Sequence, residues 1–293
     1  MDLLSIDSLS DGEIERILRR SEHFFEENRA GATSNDLNGK IVFNLFYENS
    51  TRTAMSFAVA AHRLGASALS LSVEHSSVKK GETLEDTATT LNAMRPDALV
   101  IRHRENGAPA KVARIMEAPV INAGDGTNEH PTQALLDAAT MKHRFGRIEG
   151  LKVAICGDIR HSRVARSNAS LLPRLGAEVR LAGPPDLMPS DVPRMSIDDA
   201  IRGADVVMML RVQRERLEAD LGDAPGEYLG HYGLTAERLA IAAPEAVVMH
   251  PGPMNRGVEI ADSIADDPRR SLIALQVEMG VAVRMACLEM LIA

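Results

Sequence analysis

Apolar runs and helical stretches alternate along this chain, and that alternation restricts the fold more than any other feature. Strand-like runs are expected at 40–46, 67–73, 97–102, 119–122, 151–156, 177–182, 204–210 and 246–249. Between and after them the apolar spacing turns helical, at about 52–64, 82–94, 108–116, 131–144, 162–174 and 271–292. Strand, helix and strand in succession indicate parallel sheets with crossover helices. An opening helix is expected from Ser8 to Arg29, with Ile14, Ile17 and Leu18 on its apolar face and Asp7 or Ser8 as its cap.

The segment Phe145-Gly146-Arg147-Ile148-Glu149-Gly150 follows a long helix and precedes a fresh strand, so it is the best domain break. The expected fold class is α/β, with two domains, each a parallel sheet flanked by helices, and the active site in the interdomain cleft. The domains are expected at 1–145 and 146–271. The last helix, about 272–293, is apolar on much of its surface (Ile273, Leu275, Val277, Met279, Val281, Val283) and is expected to pack back on the first domain. No internal repeat is evident in the sequence.

Charge narrows the function. Against 33 Lys+Arg stand 41 Asp+Glu, a net charge of -8, which argues against a general nucleic-acid or acidic-membrane binder. Two cysteines, Cys156 and Cys287, make no CxxC pair and no disulfide framework. The acidic, amphipathic start MDLLSIDSLSDGEIERILRR is unlike a signal peptide, and no apolar run is long enough to span a bilayer. A cytoplasmic protein is expected.

In parallel sheets, ligands bind beyond the carboxyl ends of the strands. The first strand is followed by Ser50-Thr51-Arg52-Thr53, which opens a helix. A helix N-terminus offers unpaired N–H groups and a partial positive charge, and three hydroxyls with a guanidinium suit a phosphate there. Simple capping by Ser50 or Thr51 explains part of this. It leaves Arg52 unexplained, because the dipole disfavours a cation in the first turn unless an anion is present.

Other strand ends carry matching groups. The second leads to Glu74-His75-Ser76-Ser77-Val78-Lys79-Lys80-Gly81-Glu82, which read alone is a solvated charged loop, and the third ends in Arg102-His103-Arg104. After the fourth come Asn122-Ala123-Gly124-Asp125-Gly126 and then His130-Pro131-Thr132-Gln133. Pro131 suits the first helical position, which puts His130 at the helix mouth and Gln133 one turn on. In the second half, Gly157-Asp158-Ile159-Arg160-His161-Ser162-Arg163 follows a strand without the GxGxxG of dinucleotide sites. Arg211-Val212-Gln213 and His250-Pro251-Gly252-Pro253 end the last two strands.

Arginines at so many strand ends of an acidic chain imply small, highly anionic ligands. The sequence has no GxxxxGK[ST], no HExxH, no metal-spaced thiolate or histidine cluster and no GxSxG. Neither metal nor cofactor is therefore expected. Arg, His and hydroxyl donors fit a developing oxyanion and a departing phosphate, as in acyl transfer from an acyl phosphate.

Over essentially its whole length the chain resembles the catalytic subunits of the aspartate carbamoyltransferase family. The resemblance is carried by Ser50-Thr51-Arg52-Thr53, Lys79-Lys80-Gly81-Glu82-Thr83, Arg102-His103, His130-Pro131-Thr132-Gln133, Arg211-Val212-Gln213 and His250-Pro251-Gly252-Pro253. It implies transfer of the carbamoyl group of carbamoyl phosphate to L-aspartate, an early step of pyrimidine synthesis. By the same resemblance Ser50, Thr51, Arg52 and Thr53 hold the phosphate, with Arg52 neutralising the leaving oxygen. Thr53, Arg102 and His130 hold the carbamoyl oxygen, while Gln133 and the carbonyls of Gly252 and Pro253 face the carbamoyl amide. Arg163, Arg211 and Gln213 read the aspartate carboxylates. A homotrimer is implied, in which Ser76 and Lys80 reach a neighbouring subunit's site and Lys80 meets the aspartate. Regulatory chains or a dihydroorotase are the further partners such trimers take. Ornithine carbamoyltransferases share the phosphate motif and HPxQ, but their Ser-Met-Gly and His-Cys-Leu-Pro segments are absent here. Two arginines near the second substrate suit a dicarboxylate. An inactive scaffold of this family would have lost part of the constellation, and every member is present.

Overall fold

The computed structural model describes residues 1–72, 81–212 and 227–293. The chain forms two compact units, one of Met1–His143 with Val277–Ala293 and the other of Arg144–Gln276. Each is built on a four-stranded, wholly parallel sheet.

In the first unit the elements run α1 (Asp11–Arg29), β1 (Ile41–Phe46), α2 (Thr51–Arg63), β2 (Ser67–Ser72), α3 (Leu84–Ala93), β3 (Ala98–His103), α4 (Ala108–Ala113), β4 (Val120–Asp125) and α5 (Pro131–Phe145), whose last two residues belong to the second unit. In the second follow β5 (Lys152–Cys156), α6 (Arg163–Arg174), β6 (Glu178–Ala182), α7 (Ile197–Ile201), β7 (Val206–Met209), α8 (Glu227–Tyr232), α9 (Ala236–Leu239), β8 (Val247–Met249) and α10 (Asp262–Ala265). A closing helix, α11 (Ile273–Ile292), returns the chain to the first unit. Every strand expected from the apolar runs forms.

The two sheets repeat one another in order, β2-β1-β3-β4 and β6-β5-β7-β8. In each, the chain steps one way from the first strand and then crosses back over it. The topology therefore repeats although the sequence shows no repeat.

Burial explains which faces are apolar. Leu45, Leu99, Ile101 and Val120 of the first sheet pack with Ala88, Leu91, Val112 and Met116 around α3 and α4. Phe24, Phe25 and Phe57, fully buried on α1 and α2, fill other core positions of the unit. Helix α1 is fastened to α11 by Arg20–Glu289 at 2.7 Å and Arg29–Glu278 at 2.7 Å. In the second unit, Ala154, Cys156, Val207, Met209 and Val248 of the sheet meet Ile197, Ile201, Leu239 and Ile264.

Two local expectations are corrected, and four short helices appear that were not expected. Helix α1 is capped by Ser10, neither by Asp7 nor by Ser8. Ser10 Oγ accepts from Glu13 N, and Glu13 Oε2 accepts from Ser10 N at 2.8 Å, a reciprocal box that an earlier cap could not close. Strand β4 extends to Asp125, past the expected end at 122, because Asn122 Nδ2 and the Glu129 amide both donate to Asp125 Oδ1 and hold the backbone extended. The helices α7 to α10, only four to six residues each, have too few turns to show a period in the sequence. Among the described residues, no helix is long and apolar enough to cross a membrane.

Candidate active site

In the first sheet β1 lies beside both β2 and β3, and the chain reverses its direction of strand addition between β1 and β3. That is a topological switch point, where loops diverge and leave a crevice at the carboxyl ends. Tyr47 N donates to Arg102 O at 2.9 Å, so the turn after β1 and the end of β3 are stitched together at this place. Gly126 N donates to His103 O at 2.9 Å, which brings in the loop after β4.

Each of these strand ends carries expected site residues. Ser50 is the N-cap of α2: its Oγ accepts from Thr53 N at 3.4 Å and donates to Thr53 Oγ1 at 3.0 Å. Thr51 and Arg52 occupy the first turn with exposed side chains, and Thr53 is buried. No acidic side chain lies in that turn, so the helix's partial positive charge and Arg52 face outward together. Desolvation lowers the Arg52 pKa from its ordinary value.

Arg102 is largely enclosed near the end of β3. Its Nη2 donates to Glu48 Oε1 at 2.9 Å and its Nη1 to Ala123 O at 3.4 Å. His130 and Gln133 are buried at the start of α5, whose first residue is Pro131. The mouth of this helix is shaped by Asp125, which is 1% exposed and accepts from the amides of Gly107 and Glu129 and from the side chains of Asn122 and Asn128. Gln133 is oriented in turn, since its Nε2 donates to the buried Asp137 Oδ1 at 3.0 Å.

The second unit has its own switch point, between β5 and β7. Leu210 N donates to Cys156 O at 2.8 Å there. Gly157 has φ +130, and a Cβ on it would stand 2.8 Å from Leu210 O, so only glycine lets the two strand ends approach this closely. Arg163 begins α6 behind the N-cap Ser162, and Arg211 leaves the end of β7. Gly252 N donates to His250 Nδ1 at 2.9 Å, and Asn255 Nδ2 donates to Val212 O at 3.3 Å. The His250–Pro253 turn is thereby tied to the segment carrying Arg211.

Ser50, Thr51, Arg52, Thr53, Arg102, His130 and Gln133 thus gather in one unit, and Arg163, Arg211, Gly252 and Pro253 in the other. Ser76, Lys80 and Gln213 lie outside the described residues. Sequence reasoning did not single out Glu48, Asp125, Asp137 or Glu259. Glu48 stands two residues before Ser50, so an acid that close to the expected phosphate turn was a usable signal for a partner to a nearby arginine. Asp125 lies in a polar Gly-Asp-Gly-Thr-Asn-Glu run that reads as a loop, and Asp137 and Glu259 are single acids beside apolar residues, which carry no pattern.

Two family models match successive parts of the chain. Residues 1–143 fit the family described as aspartate/ornithine carbamoyltransferase, carbamoyl-P binding domain, and residues 149–291 its Asp/Orn binding domain. The aspartate carbamoyltransferase catalytic subunit of Granulibacter bethesdensis is 56% identical over 296 residues, covering 99% of this chain and 94% of the relative. That of Rhodospirillum rubrum is 54% identical over 296 residues, covering 99% and 93%. Among solved structures, Trypanosoma cruzi aspartate transcarbamoylase in complex with N-(phosphonacetyl)-L-aspartic acid superposes with a TM-score of 0.90 at 32% identity, covering 100% of this chain and 96% of that one. The same enzyme in complex with carbamoyl phosphate and aspartate gives 0.89 at 32%, covering 100% and 97%. On the two matched halves and on relatives identical at more than half of their positions, this chain belongs to the aspartate/ornithine carbamoyltransferase family.

Proposed function

We propose that this chain is an aspartate carbamoyltransferase, joining carbamoyl phosphate and L-aspartate to give N-carbamoyl-L-aspartate and phosphate, an early step of pyrimidine synthesis. The observation that carries the reading is the first unit's switch point, where an acid-free helix N-terminus, Arg102 and the His130–Gln133 turn sit on adjacent strand ends.

The phosphate binds at the start of α2, taking donors from Ser50, Thr51, Arg52 and Thr53. Its charge offsets the conflict between Arg52 and the helix dipole. Thr53, Arg102 and His130 donate to the carbamoyl oxygen, whose negative charge grows as the aspartate amine attacks. Gln133, held by Asp137, and the carbonyls of Gly252 and Pro253 orient the carbamoyl amide. Arg163, Arg211 and Gln213 take the two carboxylates, for which paired cations and planar guanidinium donors are suited.

In the reaction the amine nitrogen forms a bond to the carbamoyl carbon and gives a tetrahedral intermediate. Collapse breaks the bond from carbon to the bridging oxygen, and the electron pair leaves with phosphate, stabilised by Arg52. The departing phosphate accepts the amine proton. Orientation does much of the work, since reacting atoms held about 3–3.5 Å apart gain several orders of magnitude over free encounter. Ser76 and Lys80 act in the site of a neighbouring subunit, with Lys80 reaching the aspartate, so the working form is a homotrimer.

The test is an assay of the purified chain for carbamoyl aspartate, with ornithine as the control acceptor. Product with aspartate alone is expected, and product with ornithine alone would overturn the reading. Mixing Arg52→Ala chains with Lys80→Ala chains after mild dissociation tests the shared site. Regain of activity is expected if one subunit supplies Lys80 to another, and none if each site is built from a single chain.

A further inference from the structure

Arg284, on α11, is a charged residue that the proposed reaction does not use, yet it lies against the helix that carries the phosphate-binding turn. It is 4% exposed. Its Nη1 donates to Ser56 Oγ at 2.8 Å and to Gly280 O at 3.1 Å, and its guanidinium carbon stands 5.1 Å from the Phe57 ring centroid. Ser56 is three residues after Thr53 and four after Arg52, so it lies on the same side of α2 one turn deeper.

Charge on the helix that carries Gln133 also acts on Arg284. The buried carboxylate of Asp137 favours its charge, and that same carboxylate receives the Gln133 amide at 3.0 Å. Arg102 is near enough to oppose it. Burial lowers the Arg284 pKa to about 10, which still leaves it protonated at neutral pH. Gly280 makes the room: a Cβ there would stand 2.7 Å from Arg284 Nη1.

Packing alone does not require an arginine. A methionine or leucine would fill the space with no charge to desolvate, and such replacements of buried ions are often neutral or stabilising. A cation kept at that cost, behind a turn that already gathers positive charge, points to a ligand of opposite sign in front of the turn.

We propose that Arg284 is a positioning residue for the phosphate end of the site, clamping the first turns of α2 through Ser56 and backing them with a permanent positive charge. This rests on the assignment of Ser50–Thr53 as the phosphate-binding turn.

The experiment titrates inorganic phosphate into the full chain by calorimetry, alongside steady-state kinetics. The variants are Arg284→Met, Arg284→Lys, Ser56→Ala and Arg52→Ala, each checked for a cooperative melt. For Arg284→Met, phosphate affinity is expected to fall about tenfold or more and the KM for carbamoyl phosphate to rise in step, the size expected for losing a charge-assisted bond. Arg284→Lys, which keeps the charge without the planar fork, is expected to recover part of that loss, and Ser56→Ala to lose a few-fold. A purely structural Arg284 would lower the folded fraction and leave affinity per folded chain unchanged, and a folded Arg284→Met binding phosphate normally overturns the proposal. If Arg284→Met does not fold, unchanged affinity in both Arg284→Lys and Ser56→Ala overturns it equally. Undiminished phosphate binding by Arg52→Ala would instead sink the assignment of the turn itself, whatever Arg284 does.

Discussion

His250 and Glu259 face each other fully buried in the second unit, with Nε2 to Oε1 at 3.3 Å. Because Nδ1 of the same ring accepts from the Gly252 amide, Nε2 carries the proton and donates to the carboxylate. Glu259 Oε1 also accepts from the Asn255 amide. One buried acid therefore fixes both ends of the turn that holds Gly252 and Pro253. Replacing Glu259 by Ala strands the buried His250 Nε2–H and Asn255 N–H and is expected to cost the second unit about 1–3 kcal/mol for each donor left unpaired. Turnover should fall by roughly 10²-fold from misplaced carbonyls. Phosphate binding by the first unit should persist, and denaturant titration with phosphate calorimetry separates the two effects.

Arg52 sits in an exposed first turn with no acidic neighbour in that turn. Arg52→Ala is expected to leave the melting temperature within a degree or two, since exposed substitutions of this kind change stability by only about 0.5 kcal/mol. Turnover should drop by about 10²–10³-fold, the loss typical of one charge-stabilising donor. Steady-state assays against aspartate check it, and near-normal turnover would refute its role toward the leaving group.

Gly157 is constrained from both directions, by φ +130 and by the 2.8 Å approach its Cβ would make to Leu210 O. Gly157→Ala is expected to cost about 1–3 kcal/mol through overpacking and backbone strain. The shift falls on the strand end that leads to Arg211, so the KM for aspartate should rise. Thermal melts and aspartate saturation curves read the two outcomes separately.

Acid sensitivity is expected from His103, buried at the end of β3 with its Nδ1 accepting from the Glu105 amide at 3.0 Å. Burial lowers its pKa from the ordinary 6.5, so the fold favours the neutral ring. That contribution is complete above pH 6.5 and is lost as pH falls from there toward the lowered value, at most about 1.4 kcal/mol per pH unit for one proton. Melting temperatures between pH 7.5 and 5.5 should decline less in His103→Asn, whose side-chain oxygen can still accept that amide. An equal decline in both proteins would remove His103 from the account.

What the sequence disclosed follows from physical pattern. Strands such as Val206–Met209 and Val247–Met249 announce themselves because both faces of a parallel sheet are buried, leaving uninterrupted apolar runs. The Ser50 cap and Pro131 at the start of α5 were legible because caps and first-turn prolines obey local rules. Ser10 was misread by a few residues because several polar residues near it could cap, and only the reciprocal bond to Glu13 decides among them. Glu259, Asp137 and Arg284 stayed hidden for a different reason. Their meaning lies in which distant groups they meet, and Arg284 meets Ser56 across 228 positions of sequence.

The return of α11 to the first unit has a consequence for the order in which the protein can be finished. The whole first sheet is synthesised by residue 125, yet residues 277–293 of the same unit are translated only after the entire second unit. Until then the nascent first unit lacks the helix that carries Arg284, Glu278 and Glu289, and with it the partners of Ser56, Arg29 and Arg20. A ribosome stalled once residue 276 has emerged should hold a folded second half and an unfinished first one. Loss of the last two turns should unfold the half made earliest, far away in sequence.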